Sequence, residues 1–210
     1  MENVDILQPP TFKKSGKVKT IVQAWEDGDW IGTFNLWIIK KDPVPSIVYQ
    51  QRSPNSSWAP NMLDVTAGGH LVAGESIIDG LREVKEELNK EYSEVNVIYL
   101  GRKLHVSPDV KNRLRQNVVH VYMVEDNAPL ATYRLQEKEV YAICSCPIKE
   151  LIRAHTQKGY SFVSEGLDNQ GNKLDIKVTK DSFPYNWDDY HFKIALLANR
   201  FIKGEEYLIY

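Results

Sequence analysis

One stretch constrains this chain more than any other: GGHLVAGESIIDGLREVKEELNK, residues 68–90, in which a glycine-rich turn runs into a helix with two unlike faces. Ile77, Leu81, Val84 and Leu88 recur at i, i+4, i+7 and i+11, and at 100° per residue they share an arc of about 60°. A stripe of that kind needs a sheet to cover it. Glu83, Glu86 and Glu87 fall on the other side at i, i+3 and i+4, the spacing of surface neighbours. Three carboxylates so close repel one another, and Lys90 answers only part of their charge. A hard divalent cation answers it better, because magnesium takes carboxylates, water and substrate phosphate together. The competing interpretation is an acidic face that is merely solvated. Gly68-Gly69 tilts the balance, since a glycine pair lets the backbone come close to a ligand or an ion.

The remaining chain supplies the sheet. Strand-like runs are expected at 18–25 (VKTIVQAW), 33–40, 46–52, 62–66, 95–105, 116–124 and 138–145, separated by Asp-Gly and proline breaks. Residues 1–17 read as polar and irregular. Pro147 opens a short helix, and a longer one carries Tyr190, Ile194, Leu197 and Phe201, with Asp188 or Asp189 as its cap and Gly204 as its stop. The fold class that follows is α+β, a mixed sheet flanked by helices with an added C-terminal helix. The expected organisation is an N-terminal extension at 1–17, a catalytic domain at 18–155 and an extension at 156–210 in the same compact unit.

Composition removes several functions. The 210 residues carry a net charge of −2, without the basic footprint of a nucleic-acid binder. No apolar run approaches the ~18 residues of a membrane helix, and MENVDILQPP has no signal-peptide pattern, so the expected setting is cytoplasmic. Cys144 and Cys146 fall on one face of a strand, and with no second pair to complete a zinc site they read as buried small hydrophobes.

The residues of the acidic helix resemble the Nudix hydrolase motif, which runs Gly, five residues, Glu, seven residues, Arg-Glu, an aliphatic, any residue, Glu-Glu, any residue, Gly, an aliphatic. Here Gly69 is followed after five residues by Glu75, then by Arg82-Glu83-Val84-Lys85-Glu86-Glu87-Leu88-Asn89-Lys90. Three places depart: six residues separate Glu75 from Arg82, Asn89 stands for the glycine and Lys90 for the last aliphatic. TIVQAWEDGDWIGTFNLWII, YQQRS, the Gly-Gly-His and Glu139-Val140 are similar to the branch holding isopentenyl diphosphate isomerase and its hydrolase relatives. Isomerisation itself matches poorly. Trp25 and Ile31 stand where that enzyme has two histidine ligands, and Gly68 where it has its cysteine.

What the resemblance implies is a Nudix-like α/β/α sandwich that hydrolyses a diphosphate linkage in a small molecule. Mg²⁺, with Mn²⁺ as the alternative, would sit on Glu83, Glu86, Glu87 and the Gly69 carbonyl. Glu83 or Glu86 would take the proton of the attacking water, with Glu137 and Glu139 as downstream candidates. Arg52, His70 and Glu139 complete the expected binding set, with Arg52 on a phosphate. Trp25, Trp30, Trp37, Tyr49 and Trp58 are the rings available to stack a base or thiazole. A homodimer and a catalytically weakened diphosphate sensor are the open alternatives.

Overall fold

In the computed structural model, which describes residues 2–108, 113–185 and 187–210, one central strand organises the rest. β3 (Trp30–Lys40) is buried on both sides, so it reads as a nearly continuous apolar run. Phe34, Leu36 and Ile38 face Val84 and Leu88 of α2 (Arg82–Leu88). Trp37 and Ile39 face the opposite way, into a core with Tyr190, Ile194 and Ala198 of α4 (Tyr190–Ile202). Along one edge β3 pairs in parallel with β8 (Leu114–Glu125), from Trp30↔Gln116 to Ile39↔Glu125. The other edge is shared by β1 (Asn3–Gln8), β6 (Ala67–His70) and β4 (Ser46–Arg52). β4 continues the sheet through β9 (Val140–Pro147), β10 (Phe162–Asp168) and β11 (Lys173–Val178), while β7 (Ile98–Pro108) flanks β8. The short β5 (Leu63–Asp64) pairs antiparallel with Gln50 and Gln51 of β4. α3 (Ile148–Thr156) lies beside α4, and the result is the expected α+β architecture.

The ends of the chain are more regular than their composition suggests. The described part of the stretch 1–17 is not irregular: β1 and β2 (Lys13–Thr20) form a hairpin that joins β3 through Ile6↔Ile31. The expected strand at 18–25 stops at Thr20, where α1 (Ile21–Glu26) begins. Its cause is a reciprocal cap, in which the Thr20 hydroxyl accepts from the Gln23 amide and the Gln23 side chain accepts from Thr20. β10 and β11 were not expected. Their turn, Asp168-Asn169-Gln170-Gly171, is held by the Asp168 carboxylate accepting from the Gln170 and Asn172 amides. α4 lies where its stripe puts it, but Asp189 makes no side-chain cap and Asp188 turns inward. Cys144 and Cys146 are both buried, with sulfurs 3.6 Å apart. Among the described residues no helix is long and apolar enough to cross a membrane.

The helix expected to follow the glycine-rich segment is shorter and in two parts. Ile78–Leu81 is a 3₁₀ turn and Arg82–Leu88 the α-helix. The tighter turn takes up the residue missing between Glu75 and Arg82. Gly80 is required at that point, because a Cβ there would fall 2.4 Å from the Phe34 ring. Ile77 is left partly exposed, while Leu81, Val84 and Leu88 keep their place in the core. The helix ends at Asn89, which adopts the left-handed conformation (φ 52°) that the glycine of the motif would otherwise supply.

Candidate active site

The face of α2 that carries the glutamates is covered rather than solvated. Glu83 is 8% and Glu87 4% exposed, whereas the Glu86 side chain reaches out to water. The cover is Gly68-Gly69, which lies not in the expected turn but in strand β6, paired with Asn35 and Phe34 of β3. The Gly68 amide donates to Glu87 Oε2 at 3.2 Å, and a Cβ on Gly69 would lie 2.3 Å from the Glu83 carboxyl carbon. Only glycine lets the carboxylate and the backbone approach so closely. Arg82 fixes the other side: its Nε donates to Glu75 Oε1 at 2.9 Å, and Nη1 lies 3.1 Å from both Glu83 and Glu86. A further nitrogen donates to the His70 carbonyl. The Glu75–Arg82 pair is therefore intact despite the shortened spacing.

Burial beside like charge sets the electrostatics. Glu83 is pushed up to about 7, first by desolvation, with Arg82 opposing and Glu86 and Glu139 adding to it. Glu87 is held well above the ordinary carboxylate range by burial and then by the neighbouring Glu83. Two adjacent buried carboxylates with this excess of negative charge form a hard, all-oxygen donor set that suits a divalent cation. Among the described residues no three such groups already surround one point, since Glu83 and Glu86 are turned toward Arg82.

These groups open onto a cavity of about 450 Å³. Gly69, His70, Glu83, Glu86, Glu87, Arg52 and Glu139 all line it. Glu137 is not among the lining residues. Arg52 is held at its rim by the Trp58 carbonyl (3.0 Å), the Ser56 hydroxyl (2.8 Å) and Asp64 (3.4 Å). His70 packs 6.0 Å from the Trp25 ring and is lowered to about 4, by burial and then by Arg115, so it is neutral at pH 7. Of the five aromatic candidates Trp25 and Trp58 line the cavity, Trp37 and Tyr49 are core, and Trp30 packs on Phe12.

The floor of the cavity was not read from sequence. It is formed by Thr33 and Asn35 of β3, Arg115, Asn117 and Val119 of β8, and Lys103, His105 and Ser107 of β7. Lys103 lies 3.8 Å above the Tyr190 ring and 3.5 Å from Asp188, and burial, opposed by Asp188, lowers it to about 8. Tyr190 accepts from Asn35 and from the Trp37 indole, tying α4 to the floor. The available signal was the alternation Lys103-Leu104-His105-Val106-Ser107, but which face is inward emerges only from the pairing of β7 with β8.

A family model described as the NUDIX domain matches residues 33–165. An uncharacterized Nudix hydrolase of Clostridium acetobutylicum is 32% identical over 189 residues, covering 86% of this chain and 89% of its own. Nudix hydrolase 3 of Arabidopsis thaliana is 24% identical over 82% of this chain, which spans only 23% of that longer protein. Among solved structures, the Deinococcus radiodurans protein DR0079 superposes with a TM-score of 0.55 at 20% identity, over 75% of this chain and 90% of that one. A MutT/nudix family protein from Enterococcus faecalis gives 0.51 at 15% identity, over 87% and 70%. These two likenesses concern the fold. The family model and the Clostridium relative carry the assignment: the chain belongs to the Nudix hydrolase family, as a Nudix-type pyrophosphohydrolase.

Proposed function

We propose that the chain is a Mg²⁺-dependent hydrolase of the diphosphate linkage in a nucleoside diphosphate joined to a further group, or in a similar small-molecule diphosphate. The stretches TIVQAWEDGDWIGTFNLWII, YQQRS and Gly68-Gly69-His70 support placing it beside the hydrolase relatives of isopentenyl diphosphate isomerase. The observation that carries the reading is the burial of Glu83 and Glu87 together against Gly68-Gly69, in a cavity that also holds Arg52. Glu83, Glu86, Glu87 and the Gly69 carbonyl would hold the ion. When bound, such an ion polarises phosphate oxygens and lowers the pKa of a water.

The chain's own groups supply the rest. Arg52 presents a guanidinium whose planar donors suit phosphate oxygens, and its contacts to Ser56, Trp58 and Asp64 orient it beforehand. Arg82 holds Glu83 and Glu86 in place without facing the substrate itself. Whichever of Glu83 and Glu86 is not fully engaged by the ion is the first candidate to take the water's proton. Glu139 reaches the same carboxylates from the residue before β9 and is the second candidate. Glu137, outside the cavity, is set aside.

The test is a panel of diphosphates incubated with Mg²⁺ and assayed for phosphate and monophosphate release. Metal-dependent release from at least one nucleotide-linked member is expected. Tight binding of such compounds without turnover at any metal concentration would instead establish a sensor.

A further inference from the structure

β7 is inside-out for a strand of a packed domain. Lys103, His105 and Ser107 face the cavity, while Leu104 and Val106, 39% and 42% exposed, face outward. Across the ladder His105 is paired with Asn117 and Ser107 with Arg115, and cross-strand partners share a face of the sheet. Three atoms here are buried with no hydrogen-bond partner among the described residues: the Trp25 indole Nε1, His105 Nδ1 and Asn117 Oδ1. All three residues line the cavity. Buried polar atoms are nearly always paired, and three exceptions around one cavity mark where something else does the pairing. An indole N–H can only donate, an amide oxygen accepts, and an imidazole nitrogen does either according to its tautomer. The Trp58 ring stands edge-on to His105 at 6.3 Å and closes the side of the same region.

We infer that this β7–β8 floor, through Trp25, His105 and Asn117, is the subsite that reads the organic part of the substrate by its hydrogen-bonding edge. The inference rests on the diphosphate reading for the position of the phosphates, at the Glu83–Glu87 end of the cavity. The group it takes presents acceptors and donors together, as a nucleobase edge or a set of sugar hydroxyls does. A prenyl chain would leave all three atoms unpaired. A thiazolium would bring a positive ring beside Lys103. Both diphosphate classes are therefore poor substrates.

Binding separates this from the hydrolase reading. Calorimetry in Mg²⁺ compares methylenediphosphonate with its adenosine, uridine and ribose 5′-derivatives, none of which can be hydrolysed at the bridge. The nucleoside compounds are expected to bind at least about tenfold tighter than the parent. Trp25→Phe, His105→Phe and Asn117→Leu, which keep shape and remove the polar atom, should each shrink that gap by about tenfold. They should leave methylenediphosphonate affinity unchanged and the melting temperature equal or higher. If the ribose derivative matches the nucleosides, hydroxyls supply the contacts; if it matches the parent, the base does. Nucleoside compounds binding no tighter than the parent, or a gap untouched in all three variants, would overturn the subsite. Absence of phosphate release from the hydrolysable compounds, with the gap intact, would instead sink the hydrolase reading and leave the subsite standing.

Discussion

The cavity has two unlike walls, and each was built by a different kind of order. The α2 wall is local: Glu83, Glu86 and Glu87 are neighbours because a helix repeats every 3.6 residues, and Arg82 beside them binds back to Glu75. The β7–β8 floor is non-local. Lys103, His105, Asn117 and Arg115 meet only after two strands have paired in a register that no single segment contains. The wall concentrates buried carboxyl groups, whereas the floor holds neutral imidazole and amide groups beside cations. A motif thus announces the chemistry, and the register of the sheet decides what the chemistry is done to.

The comparison breaks most sharply at Glu87. Glu87→Gln keeps the shape and the Gly68 contact but removes a charge that a divalent ion needs. Turnover should fall by at least about a hundredfold, at or beyond the upper end of what outer partners of metal ligands cost. The fold should persist or gain, because burying the carboxylate is unfavourable in the first place. Binding of nucleosides to the floor should survive. Activity within tenfold of wild type, measured on any diphosphate the enzyme accepts, would take Glu87 out of the ion site.

The walls should also answer pH in opposite directions. Folded Glu83 keeps until about 7 a proton that the unfolded chain releases near 4.5. Its contribution is complete below 4.5 and gone once pH has risen through 7, on the order of 3 kcal/mol for the metal-free protein. His105, lowered to about 4 by burial and then by Lys103, refuses a proton that the unfolded chain takes near 6.5. Its cost is absent above 6.5 and grows as pH falls toward 4. Denaturant melts in EDTA should show Glu83→Gln flattening the first slope and His105→Phe the second. Added Mg²⁺ should stabilise more at pH 8 than at pH 5.5, since only ionised carboxylates hold it. Equal increments at the two values would separate the ion from Glu83.

How the wall is attached to the sheet gives a smaller effect. Gly80→Ala would press a methyl group into the Phe34 ring, and overpacking of this kind costs about 1–3 kcal/mol. Because the 3₁₀ turn leads directly into Arg82 and Glu83, turnover should fall with stability, while the floor, packed from the other side, keeps its affinity. An unchanged melting temperature would mean that the turn has slack to yield.

Sequence reached the wall and stopped short of the floor for physical reasons. The helix stripe, the acid face, Gly69 and Arg52 are each visible in a window of a few residues. Burial of Glu83 and Glu87 was not, because their cover comes from β6 rather than from the helix. α1 looked like strand because Val18, Ile21 and Val22 are β-branched, yet the Thr20–Gln23 cap decided locally against that preference. β10 and β11 were missed although LysLeuAspIleLysVal at 173–178 alternates cleanly and the turn before it is rich in Asn and Gly. Those strands extend the sheet past β9 and contribute none of the residues that line the cavity.

Asn89 offers the finest test of how far the local order of the α2 wall extends. It is the residue at which this chain departs from the motif's glycine, and it sits at φ 52° and ψ 40° with its amide donating to the Lys85 carbonyl at 3.0 Å. Asparagine tolerates this region and glycine enters it freely, so Asn89→Gly should change stability by no more than about 0.5 kcal/mol and leave turnover unaltered. Asn89→Val should cost about 1–2 kcal/mol, because a β-branched side chain clashes with its own backbone there. Leu88 and Val84 would lose their anchor one residue later, and with them the end of the helix that carries Glu87. If the valine variant matched the glycine variant in a thermal melt, the stop would be imposed by the packing of Leu88 rather than by the residue that follows it.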